Sequence, residues 1–497
     1  MALNSLSRLR RPRIGITLFV LGAVLMVWGI AASATTVKDV DITLAVDTQL
    51  ENDDGVPAHQ IDVRTENGIV SLSGSVPHLL AKERAAEIAT MVKGVRSVIN
   101  RIEIRTVLRT DDGIRTDVEL ALLADPATNF FGIEVGVRDG TVSLTGRVDS
   151  WQEERLCVLV AKGVRGVKKV ISNIDVVQSP NRSDDDIRAE IERRLNFDVW
   201  VDDALIDVNV IRGQVVLSGT VGSLAEKKRA FGDARIAGVK SVDDRQLRVD
   251  WFKHNEMRRS RKYEVKTSDA EIRQAIKDAF GYDPRISRFD PEIEVNNGVV
   301  TLTGRVDNLL AKKAAVQDAR NTRGVWQVKN HLKIWPTGIG PRSKPVPDAD
   351  AEVARAVRAA LARNPYVHQH EIAVTVNNHL VVLRGAVDSA FEKEKAAEAV
   401  SRVRGVADLV NNLNVDRSWT PKDDWEIKKD IESELWWSPF VDQEDISVTV
   451  ADGVATLVGQ VDSLRDRRIA TENAYEGGAR EVRNHLRVRY GPDELRP

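Results

Sequence analysis

One phrase returns six times in this 497-residue chain: a glycine, alternating apolar residues, a second glycine, then valine. It spans Gly68–Val76, Gly140–Val148, Gly213–Val221, Gly298–Val306 and Gly453–Val461, and a fifth copy, His379–Val387, opens on histidine. A second signal follows each phrase: Gly94-Val95, Gly166-Val167, Gly238-Val239, Gly324-Val325, Gly405-Val406 and the degraded Gly478-Ala479. Six positions after that glycine stands Asn100, Asn173, Asn330, Asn411 or Asn484, with Asp244 in the third copy. Repetition of this kind sets the architecture before any single residue is weighed. It predicts an array of small modules.

The modules are expected at 41–106, 112–178, 183–250, 268–335, 348–416 and 421–490. Between them lie a basic, aromatic connection at 251–267 and a proline-rich spacer at 336–347. A period of roughly 70 to 85 residues is near the lower limit for an independent core, so neighbouring modules should support one another.

The second copy shows the expected unit. Ile114, Val118 and Leu122 have helical spacing, and Ile133–Val137 alternates as a strand. Asp139-Gly140 supplies a tight turn, and Val142–Thr145 returns as a second strand. Ser150-Trp-Gln-Glu153 opens a second helix as a capping box, repeated at Ser223–Glu226 and Ser389–Glu392. Gly166-Val167 is expected to end that helix, and Val170–Val176 gives the third strand. The order α-β-β-α-β defines an α/β (α+β) class, with two helices on one face of a three-stranded mixed sheet. Ser183 and Ser268, each followed by acidic residues, are helix caps. In the fifth copy, Asn377-Asn378 is expected to supply the positive-φ turn positions that His379 does not. The glycines closing the second strand, Gly74, Gly146, Gly219, Gly304, Gly385 and Gly459, are read as structural. Each would mark a bulge, or a close approach of the following helix that excludes a Cβ.

Formal charge is −2 with 29% charged residues of both signs, which gives no reason to expect nucleic acid. The single cysteine, Cys157, sits at an apolar position and reads as inert core filler rather than a reactive thiol. Arg8, Arg10, Arg11 and Arg13 precede an apolar run, Ile14–Ala32, that leads into Ala32-Ser-Ala34. Residues 1–34 therefore read as a signal peptide cleaved near Ala34, or as an uncleaved transmembrane helix over 14–32, about 28 Å long. Both place the modules outside the cytoplasm.

The Gly-x-Val-x-Leu-x-Gly-x-Val phrase, the later Gly-Val and the trailing asparagine resemble the BON domain family (bacterial OsmY and nodulation), over about residues 40 to 490. The resemblance implies a non-enzymatic periplasmic protein that binds phospholipid membrane and supports the envelope under osmotic stress. A periplasmic protein-interaction scaffold or holdase-like chaperone is the alternative.

Binding residues must come from elsewhere in the modules. Aromatics fall between the first helix and the first strand: Phe130-Phe131, Phe197 and Trp200, Phe280 and Tyr282, Tyr366, and Trp436-Trp437 with Phe440. One ring per copy can close the end of the core, leaving Phe130, Phe131, Trp200, Tyr282, Trp436 and Trp437 as candidates for lipid or partner contact. Trp251, Arg258, Arg259, Arg261 and Lys262 interleave aromatic and basic character in a way that suits anionic phospholipid. No catalytic motif, cofactor site or metal site is expected: His368-Gln-His370 lacks a third ligand nearby, and Gly163-Val-Arg-Gly166 is a chance match to a nucleic-acid loop.

Overall fold

The computed structural model describes residues 37–106, 108–128, 132–177, 182–251, 267–335, 350–368, 371–415 and 422–488. Six copies of one unit lie within them. Their first helices are Asp39–Glu51, Asp111–Ala124, Asp184–Phe197, Asp269–Tyr282, Asp350–Arg363 and Asp424–Trp437. Their second helices are Leu79–Thr90, Trp151–Lys162, Leu224–Asp233, Leu309–Arg320, Ala390–Ser401 and Leu464–Glu476. In module two, strands Glu134–Arg138 and Thr141–Val148 form an antiparallel hairpin, and Lys169–Val176 pairs in parallel with the second strand. The second strand is central and the two helices pack against the sheet, as the sequence pattern predicts.

Local chemistry explains the boundaries. Thr110, Ser183 and Ser268 cap first helices by accepting the amides of Gly113, Asp186 and Glu271. Ser150, Ser223, Asn308, Ser389 and Ser463 do the same for second helices. The reciprocal capping box forms at Ser223–Glu226 and at Ser268–Glu271. Glu153 and Glu392 instead accept from Asp149 and Asp388, one residue before the cap. Gly166 does not end its helix: Gly163 takes that position, and Gly166 sits in the following turn at φ +95°. In module five the positive-φ turn residues are Asn378 and His379 rather than Asn377 and Asn378.

The trailing asparagine ties the third strand to the second helix. Asn100 donates to the Lys82 carbonyl and accepts from Ile102 at 3.1 Å, where the third strand of module one breaks between Asn100 and Glu103. Asn411 with Lys393 and Asn484 with Arg467 repeat the contact.

In four modules the glycine closing the second strand, Gly74, Gly219, Gly385 or Gly459, faces backbone, not helix. At Gly219, φ is +106° and a Cβ would lie 2.0 Å from the carbonyl oxygen of Leu205, just before the paired first strand. Gly304 has the same backbone twist, φ +112°, yet its nearest neighbour stands 3.6 Å from that point. Conformation alone selects glycine there.

Each module keeps its own core. In module three Ile187, Ile191, Leu195, Leu217, Ile236 and Leu247 are fully buried. Each such side chain contributes about 1.5–3 kcal/mol on leaving water. Cys157 is completely buried in the core of module two, and burial pushes its thiol up to about 12.

Among the described residues no helix is long and apolar enough to cross a membrane. The transmembrane helix expected over 14–32 is not among them: that run lies, with all of 1–34, outside the described residues.

Candidate functional site

Every first helix begins on an aspartate, and that residue holds the hairpin. Asp111 accepts from the amides of Asp139 and Gly140 at 2.8 and 3.0 Å. Asp39, Asp184, Asp269, Asp350 and Asp424 make the same pair of bonds to Asn67-Gly68, Arg212-Gly213, Asn297-Gly298, Asn378-His379 and Asp452-Gly453. These backbone bonds are the main cause that holds the carboxyls of Asp111, Asp184 and Asp350 below the usual range. The signal was present in the sequence: the aspartate stands 29 residues before the turn glycine, or His379, in all six copies. Sequence reasoning assigned these carboxylates only to helix starts and missed the long-range partner.

The expected binding aromatics are mostly drawn into contacts between modules. Trp437 packs against the core of module one, and its carbonyl accepts the Lys93 amide at 3.1 Å. Trp436 meets Trp437 edge to face, with centroids 4.6 Å apart, and remains 39% exposed. Trp251 reaches the same place: its ring lies 6.4 Å from Trp436, and the Lys93 ammonium sits 5.6 and 5.4 Å from the two ring centroids. Burial lowers the Lys93 ammonium to about 8. Three tryptophans and a lysine from modules one and six and the end of module three thus form one cluster. Trp200 meets Phe440 edge to face and donates to the Asn321 side chain at 3.3 Å. Tyr282 packs on the core of module three beneath the Arg194 guanidinium. Phe130, Phe131, Arg258, Arg259, Arg261 and Lys262 lie outside the described residues, as do most of the 251–267 connection and the 336–347 spacer.

A polar cleft of about 80 Å³ opens between modules three and four, lined in part by Arg194, Asp198, Arg229, Asp233 and Asp318. It has room for a few waters and not for a drug-sized ligand. Burial pushes the Asp233 carboxyl up to about 7 against the opposing pull of Arg229, and raises Asp318 as well. Among the described residues, His368, Asp388 and Glu392 are the group whose ligand atoms could converge on a metal ion. Glu392, however, already accepts the His368 and Asp388 amides at 2.6 and 3.0 Å, which is the work of a cap. His370 lies outside the described residues.

The repeated unit defines the class of protein. The BON domain matches residues 38–106, 110–178, 183–250, 268–336, 349–417 and 423–490, and the chain belongs to the BON domain family, with six tandem copies. It is 31% identical over 143 residues to osmotically-inducible protein Y of Escherichia coli, covering 27% of this chain and 71% of that protein. It is 33% identical to a 21 kDa hemolysin of Actinobacillus pleuropneumoniae, covering 27% and 69%. It is also 28% identical to the outer membrane lipoprotein DolP of Haemophilus influenzae, covering 32% and 90%. As a BON-repeat protein it is non-catalytic.

Proposed function

We propose that this chain is a non-enzymatic protein of the bacterial periplasm that docks on anionic phospholipid and supports the integrity of the envelope. The basic head and apolar run of residues 1–34 support export. The names of two relatives, an osmotically-inducible protein and an outer membrane lipoprotein, support an envelope setting.

One observation carries the lipid reading. Trp251, Trp436 and Trp437 gather around Lys93, with Trp436 partly open to solvent, and Trp251 leads directly into the basic residues Arg258, Arg259, Arg261 and Lys262. Tryptophan favours the headgroup layer, and each basic residue near an anionic surface adds about 1 kcal/mol.

Vesicle flotation tests it. The protein should float with phosphatidylglycerol vesicles and not with phosphatidylcholine alone. Trp436→Ser, combined with Arg258, Arg259, Arg261 and Lys262 changed to Gln, should abolish recovery while circular dichroism stays unchanged. Equal recovery with both vesicle types, indifferent to these changes, would sink the proposal.

A further inference from the structure

We infer that residues 37–488 form a closed shell of two three-module rings, in which the helix side of each module is a docking surface for other modules of the same kind. Three independent sets of contacts carry this.

The first set closes the rings. In five modules the residue that begins the second helix reaches into the next module. Leu79 of module one lies in the core of module two, Trp151 of module two donates to the Val239 carbonyl of module three at 3.1 Å, and Leu224 of module three packs on the core of module one. In the second half, Leu309 of module four lies in the core of module five, and Leu464 of module six packs on the core of module four. The order runs one to two to three and back to one. In modules four to six the steps from four to five and from six to four run in the same sense, and the step from five to six is inferred from them, Ala390 being too small to reach across.

The second set joins the rings in pairs. In four modules the residue before the Gly-Val signal donates its amide to the last carbonyl of a first helix elsewhere. Lys93 donates to Trp437, Arg165 to Arg363, Arg404 to Ala124 and Arg323 to Phe197, at 2.7–3.2 Å. Each such bond satisfies a carbonyl that a helix end would otherwise leave open. The pairs are one with six, two with five and three with four. The pair of modules two and five carries the bond in both directions, which is the mark of a two-fold relation.

These two sets together dictate a third. A two-fold that exchanges modules three and four and respects ring order must also exchange one with five. The axis through two and five must exchange three with six, and the axis through one and six must exchange two with four. All three additional contacts are present. His78 of module one meets Tyr366 of module five edge to face at 4.5 Å, Trp200 of module three meets Phe440 of module six likewise at 5.3 Å, and Leu310 of module four joins Ala127 and Leu156 of module two in one apolar cluster. The arrangement is that of a hexamer with dihedral three-fold symmetry, written into a single chain.

Small-angle scattering and amide exchange on the full chain test this. A compact body of this length has a radius of gyration of about 22 Å, whereas six such modules laid end to end give roughly 45 Å. A value within a few Å of the first, together with slow exchange at the Lys93, Arg165, Arg323 and Arg404 amides, is the expected result. A value near the second, or exchange at those four amides as fast as in open loops, overturns the inference. Leu310→Glu should speed exchange at the contact between modules two and four while the module hairpins stay protected. Unchanged exchange there would equally count against the shell.

Discussion

Trp200 and Phe440 meet edge to face with ring centroids 5.3 Å apart, although 240 residues separate them. Each is the second residue beyond the C-terminal cap of its module's first helix, Asp198 and Ser438 respectively. Equivalent positions of two modules therefore touch each other. The Arg465 guanidinium lies over both rings, 5.2 and 4.8 Å from their centroids.

Replacing either ring should weaken the contact between modules three and six. Trp200→Ala and Phe440→Ala should each cost about 2–4 kcal/mol. Their double mutant should cost less than the sum, by about 0.5–1.5 kcal/mol. Denaturant titration of the four proteins measures the coupling, and strict additivity would show that the rings do not interact.

Glycines of the same motif should differ in sensitivity. Gly219→Ala sets a methyl 2.0 Å from the Leu205 carbonyl oxygen, whereas Gly304→Ala meets nothing closer than 3.6 Å. The second substitution should cost only the backbone strain, about 1–2 kcal/mol. The first should cost clearly more, or prevent module three from folding. Comparing the two unfolding midpoints checks the order.

Glu434 gives the contact between modules one and six a dependence on pH. Burial, with Glu476 nearby, raises its carboxyl to about 7, while Gln49 and Asn52 hydrogen-bond to it. A carboxyl raised on folding contributes stability that is full below its unfolded value and is lost as pH rises through about 7. Glu434→Gln should remove this dependence and stabilise the protein at pH 8 by roughly 2 kcal/mol. Thermal midpoints at pH 5 and pH 8 decide it; parallel curves for wild type and variant would refute the assignment.

The aspartate clamps act in the opposite sense. The carboxyls of Asp111, Asp184 and Asp350 are lowered by the turn amides they accept. Their contribution is present above the unfolded value of about 3.8 and fades as pH falls below it. Asp350→Ala should lower the thermal midpoint and speed exchange at the Asn378 and His379 amides, with a smaller effect at pH 3 than at pH 7. Exchange unchanged at both amides would show that the clamp holds nothing.

What the sequence disclosed follows from the range of each interaction. The hairpin at Asp139-Gly140, the caps at Ser183 and Ser268, and the order α-β-β-α-β all depend on residues a few places apart, so their pattern is visible in one chain. The clamp from Asp111 to Gly140 was also legible as a constant spacing, but nothing local marks the partner. The aromatics were harder. Trp437 looked like a surplus ring because the core of its own module needs only one, yet it is half-buried against the core of module one, more than 330 residues away. No periodicity reports a neighbour at that separation. The Lys93 ammonium, set among Trp251 and Trp436, gave no sequence signal for the same reason.

An open-ended solenoid can gain or lose one repeat and simply become longer or shorter. A ring of three cannot. If Leu224 must reach back to module one, as its packing there shows, then deleting a single unit leaves an apolar socket with no occupant and a protruding side chain with no socket. Copy number in such a chain is constrained by geometry, and this chain tolerates neither five modules nor seven without an unmatched face.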